Sequence, residues 1–98
     1  MLKSPDRKTV TELTLLPNIG QAMAEDLRLV GIQQPQDLIG KDAYELFSNL
    51  CKQTARQHDP CVIDVFLAAV DFMEGADAAP WWNYTAERKK HLQGVHSP

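Results

Sequence analysis

The stretch Pro17-Asn18-Ile19-Gly20, set between two helical patterns, constrains this 98-residue chain more than any other. Pro17 fixes its own φ, lacks an amide hydrogen and disfavours helical geometry at Leu16, so a helix arriving from the N-terminal side has to stop there. Upstream, Thr9-Val10-Thr11-Glu12 has capping-box spacing with Thr9 as N-cap, and Leu13 and Leu16 share a face, which predicts a helix over about residues 10–16. Asn18 and Gly20 tolerate positive φ, and Ile19 between them can enter the core. The chain therefore reverses within a few residues. A second helix is expected over 21–30, where Met23, Leu27 and Val30 recur at helical spacing and Ala24 is small enough for close helix contact. Gly31 stands where a left-handed residue ends a helix, and Ile32 can fold back on Leu27 in the Schellman pattern.

The remainder reads as helices broken by loops. Gln34 to Gly40 predicts one helical turn opened by Pro35. Asp42 caps a three-turn helix whose inner face is Ala43, Leu46, Phe47, Leu50, Cys51 and Thr54. Lys52, Gln53 and Arg56 fall on its outside. Asp59-Pro60 is a good start for a central helix carrying Cys61, Val62, Val65, Phe66, Ala69, Val70, Phe72 and Met73. Asp64 and Asp71 are expected on an exposed face. After a break at Gly75 to Pro80, Trp81-Trp82-Asn83-Tyr84 leads into a short last helix or turn over 85–90, with 91–98 a loose tail. The fold class is thus all-α: one domain of about five short helices over residues 1–98, with the hairpin at 9–31.

The amides of Gly20, Gln21, Ala22 and Met23 open the second helix without intrahelical partners, and the helix dipole adds partial positive charge there. Such a terminus accepts a phosphate oxygen without a basic side chain. Leu16-Pro17-Asn18-Ile19-Gly20 with Ala24 and Leu27 resembles the helix-hairpin-helix motif of DNA-binding proteins without sequence preference. That resemblance implies a backbone-phosphate contact through the amides of the second helix and a monovalent cation on the hairpin carbonyls as the one conceivable cofactor; the residues expected to make the contact here are Asn18, Ile19, Gly20, Gln21, Ala22 and Met23, with help from Lys8 and Arg88. The chain departs from the motif with Asn18 at the first glycine position, and with Glu25 and Asp26 where lysine is commoner. Across most of the chain, His58-Asp59-Pro60-Cys61, Val65-Phe66, Ala69-Val70-Asp71-Phe72 and Pro80-Trp81-Trp82 through Thr85-Ala86-Glu87-Arg88-Lys89 resemble the small bacterial pathogenicity-locus helix-hairpin-helix proteins, some labelled mitomycin-resistance proteins.

Charge qualifies the nucleic-acid expectation. The net charge of −3 opposes strong generic binding, which comes mainly from Lys and Arg displacing counterions. Residues 1–20 and 80–98 nevertheless hold six basic and three acidic groups, against four basic and ten acidic in 21–79. A weakly positive face on an acidic body results if the two ends meet. No apolar run reaches membrane-spanning length and no signal peptide is visible, so a cytoplasmic protein with no membrane partner is expected. Cys51 and Cys61 then read as reduced thiols.

Other constellations have plainer readings. Cys61 near a helix start, one turn from His58, has the parts of a nucleophile, yet Asp59 as cap and Cys61 as packing explain the same residues. Cys51, His58, Cys61 and His91 lack the paired spacing of a zinc site. Trp81, Trp82 and Tyr84 beside Arg88, Lys89 and Lys90 form either a base-stacking platform or a lid on a small core. Glycosylases that carry this hairpin need a lysine and an aspartate in a larger domain, so no enzyme is expected here. Two functions remain: a non-enzymatic module that touches nucleic-acid backbone, linked to tolerance of DNA damage, and a protein-interaction or self-associating module.

Overall fold

The computed structural model describes residues 7–96, in which four α-helices and three 3-10 turns follow one another with no strand among the described residues. The α-helices are α1 (Gln21–Leu29), α2 (Ala43–Thr54), α3 (Cys61–Met73) and α4 (Thr85–His96), and the 3-10 turns span Leu13–Leu15, Pro35–Leu38 and Trp81–Tyr84.

α3 is the axis of the domain. Nine of its thirteen residues are buried, and its apolar residues leave almost no face for water. α2, α4 and the Trp81–Tyr84 turn pack around it, and α1 reaches it through α2. Phe66, Leu13, Leu16, Ile19, Leu27, Leu38 and Leu50 meet in one cluster, so the turn that precedes α1 belongs to the same core as the central helix.

The segment before Pro17 corrects the sequence expectation. The helix expected over 10–16 with Thr9 as cap is a single 3-10 turn, Leu13–Leu15, preceded by extended Glu12 (φ −133°) and followed by extended Leu16 (ψ 146°). Pro17 forces Leu16 out of the helical region, and the β-branched run Thr9-Val10-Thr11 resists helix, leaving too few residues to nucleate an α-helix. Val10, Leu13 and Leu16 are buried all the same. Gln36 Nε2 donates to the Val10 carbonyl at 3.2 Å and Arg7 Nη1 to the Met73 carbonyl at 3.3 Å, which ties this segment to the body.

The other boundaries follow local chemistry. Asn18 takes positive φ (67°), and the buried Ile19 donates its amide to Leu16 at 3.2 Å. α1 ends in the expected Schellman arrangement: Gly31 has φ 93°, its amide reaches Arg28 O at 3.1 Å, and that of Ile32 reaches Leu27 O at 3.0 Å. Asp42 Oδ1 accepts the Tyr44 amide at 2.8 Å to open α2. Asp59 Oδ1 accepts the Cys61 amide at 2.8 Å to open α3. Ala55 closes α2 in the left-handed region (φ 55°), a stop that its residue type does not announce. The Glu74 carboxylate accepts the Gly40 amide at 2.8 Å, fastening the end of α3 to the loop before α2.

The tail is also corrected. Helix α4 continues through His96, and His91 stacks on Tyr44 of α2 with ring centroids 3.7 Å apart, so the expected loose tail begins instead as a continuation of the helix. Residues 97 and 98, like 1–6, lie outside the described residues.

Candidate nucleic-acid interface

At the start of α1, Gly20 is extended (φ −96°, ψ −171°), the backbone of an N-cap, yet it supplies no side chain to the amides that follow. Among the described residues, Gln21, Ala22 and Met23 amides have no hydrogen-bond partner, whereas Ala24 donates to Gly20 O at 2.9 Å as ordinary helix. Gly20, Gln21 and Ala22 are exposed and Met23 is half-buried. A Cβ built on Gly20 meets nothing within 4 Å. The helix start is therefore an open, uncapped donor cluster on the surface, with α1 behind it contributing its dipole.

Asn18 and Ile19 serve the turn. Ile19 is fully buried, and Asn18 Nδ2 donates to the Ala79 carbonyl at 2.7 Å, joining the turn to the loop that leads into Pro80-Trp81-Trp82. Replacing Asn18 removes two things at once: a side chain suited to positive φ and a buried-edge hydrogen bond. Asn18→Ala should cost about 1–3 kcal/mol, while Asn18→Gly keeps the backbone conformation and should lose about 1 kcal/mol or less; urea denaturation of both variants separates the two contributions.

Arg88 is the clearest correction to the expected site. It is 8% exposed and its guanidinium is spent on Asp64, with Nε to Oδ1 at 3.0 Å and Nη2 to Oδ2 at 3.3 Å. Thr85 Oγ1 donates to Asp64 Oδ2 at 2.7 Å, and Asp64 itself is fully buried, against the exposed position expected for it. The bond to Asp64 holds the Arg88 guanidinium above its usual pKa. This forked pair pins α4 to α3 and offers nothing to a phosphate. Its sequence signal is that α3 is apolar on nearly every side, so an acidic residue in it faces inward, and Thr85, Arg88 and Leu92 repeat at helical spacing toward it. Lys8 lies on the exposed N-terminal segment leading to Val10.

The nucleophile-like and metal-like sets do not assemble. The Asp59 carboxylate beside the half-buried Cys61 thiol, together with burial, pushes that thiol up from its ordinary pKa, the reverse of an activated cysteine. His58 is packed against α2, with Nε2 2.8 Å from Thr54 Oγ1, whose hydroxyl also lies 2.8 Å from Leu50 O. His91 is on the Tyr44 ring. Among the described residues no three of His, Cys, Asp and Glu converge as a metal site.

The aromatic group divides. Trp81 packs on the core, Tyr84 is half-buried, and Trp82 is 62% exposed. Burial and the Asp71 carboxylate, which also accepts its hydrogen bond, push the Tyr84 hydroxyl up to about 12. A raised folded pKa makes its stabilisation complete below the unfolded value of 10.0 and lost as pH rises from there toward 12. Melting temperature should therefore fall over that interval, and the fall should be shallower in Tyr84→Phe. Tyr44, also pushed upward by burial, supplies part of the remaining slope.

The family described as "Pathogenicity locus" matches residues 6–90. The mitomycin resistance protein McrB of Streptomyces lavendulae is 38% identical over 84 residues, covering 86% of this chain and 80% of the relative. No solved structure matches.

Proposed function

The chain belongs to the pathogenicity-locus family, and from that premise we propose that it is a small non-enzymatic module of helix-hairpin-helix type that contacts nucleic-acid backbone without reading sequence. One observation carries the reading. The amides opening α1 are uncapped and free of partners among the described residues, with Gly20, Gln21 and Ala22 exposed, on a turn whose conformation is held by Asn18 and Ile19. A phosphate oxygen completes such a terminus, with dipole and hydrogen bonds acting together. A role in tolerating damage to DNA would join this contact to the resistance in the name of the Streptomyces lavendulae relative.

The acidic body sets the strength. With a net charge of −3, and with Glu25 exposed and Asp26 half-buried one turn into α1, affinity should be modest and steeply salt-dependent. Anisotropy titration of labelled duplex and single-stranded DNA at two ionic strengths tests it: binding that weakens sharply with salt supports the reading, and no binding at low salt removes it. The second reading, docking on a protein, is favoured by the exposed apolar Leu29 and Ile39, which are 52% and 51% accessible. Association through such side chains should be nearly indifferent to salt.

A further inference from the structure

Of the aromatic and basic residues near the C-terminus, the structure commits all but three to the interior or to a partner. Trp81 is partly buried against the core cluster, Tyr84 is half-buried against Asp71, and Arg88 is locked on Asp64. What remains facing water is Trp82 with Lys89 and Lys90. Leaving an indole in solvent forgoes a large gain in apolar burial, beside a Trp81 that packs partly against the core.

The exposed indole is also held in place. Trp81 meets it edge to face, with centroids 5.6 Å apart and an interplanar angle of 82°, which covers at most one of its faces. The 3-10 turn runs directly into α4 through a helical Thr85 (φ −60°, ψ −43°). By the rise of the two helix types, Lys89 then stands roughly 12 Å along the axis from Trp82 on a similar side, with Lys90 next round the helix. From Pro80 onward the chain carries three basic residues and only Glu87 as an acid. Ala79, whose carbonyl holds Asn18, is three residues from Trp82, so the two backbone positions are separated by about 11 Å at most. The indole thus sits in the neighbourhood of the turn that opens α1.

We propose that Trp82, flanked by Lys89 and Lys90, is a stacking platform for an unpaired base, which makes single-stranded nucleic acid the preferred ligand of this surface. The inference rests on the backbone-contacting function proposed above and narrows its ligand class. A duplex keeps its bases stacked on one another and gains nothing from an indole, whereas every unpaired base has a face to lay on it. The lysines supply counterion-releasing contacts to phosphates on one side of that base.

The test is anisotropy titration of a labelled short oligothymidylate and a labelled duplex of matched length against wild-type protein, Trp82→Ala, Trp82→Phe and Lys89→Gln/Lys90→Gln. Trp82→Ala should weaken single-strand binding about tenfold or more and leave duplex binding within twofold. Trp82→Phe should retain most of the affinity, and the double lysine variant should flatten the salt dependence for the single strand. Because Trp82 is exposed, the variants should melt near the wild-type temperature. Single-strand affinity unchanged in Trp82→Ala, or reduced equally for both ligands, overturns the proposal while leaving backbone contact intact. A wild-type protein that binds neither ligand at low salt removes both. A salt-insensitive self-association lost in Trp82→Ala would assign the indole to protein docking and overturn the proposal as well.

Discussion

Asp64→Ala should lower the unfolding free energy by about 3–5 kcal/mol, the usual cost of removing one partner from a buried ion pair. Asp64 is fully buried and Arg88 is 8% exposed, so the variant leaves a guanidinium without its counter-charge between α3 and α4, and strands the Thr85 hydroxyl as well. A small domain has about 5–15 kcal/mol in total, so the loss takes a large share of its stability. Arg88→Ala should be costly by the same reasoning. The double replacement Asp64→Leu/Arg88→Met should recover much of the loss, because an apolar pair of similar volume leaves no charge to solvate. Guanidinium denaturation of the four proteins compares the single losses with the recovery in the apolar double variant. A single-variant cost below about 1 kcal/mol would mean that water reaches the pair.

Gly20→Asp should move binding and stability in opposite directions. Gly20 already has the extended backbone of an N-cap, and a Cβ there meets nothing, so the aspartate fits without strain. Its carboxylate can accept from the amides of the first turn and interact favourably with the helix dipole, adding a few tenths to about 1 kcal/mol of stability. Those are the donors assigned to a phosphate. Occupying them and placing a negative charge at the same spot should weaken nucleic-acid binding about ten- to a hundredfold, the range expected for a charge-assisted hydrogen bond with added repulsion. A variant that melts higher and binds less cannot have lost binding through unfolding.

Much of the fold was legible where one residue type settles the backbone. Pro17, Gly31, Asp42 and Asp59 each mark a boundary that appears within a residue of its expected place. The helix expected before Pro17 is only a 3-10 turn because three β-branched residues and the shortness of the segment outweigh its capping-box spacing. The tail differs because 91–96 lacks a strong apolar period; the stack of His91 on Tyr44, a long-range contact, is invisible to local pattern. The site was legible in part. Main-chain amides follow from where α1 starts, and that could be read from the sequence. Arg88 could not be placed by composition, since a basic residue among lysines looks solvated until α3 is seen to bury Asp64. The aromatic group divides in a way that spacing alone does not reveal, with Trp81 and Tyr84 partly buried and Trp82 facing out.

The most direct measurement is the movement of backbone ¹⁵N–¹H signals when unlabelled DNA is added to labelled protein at low salt. Signals of Gly20, Gln21, Ala22 and Met23 should shift together and move back as salt is raised, and those of Gln21, Ala22 and Met23 should stay still in Gly20→Asp. Shifts that leave those four untouched and gather instead around Leu29 and Ile39, or no shifts at all, would contradict a phosphate seat at the start of α1.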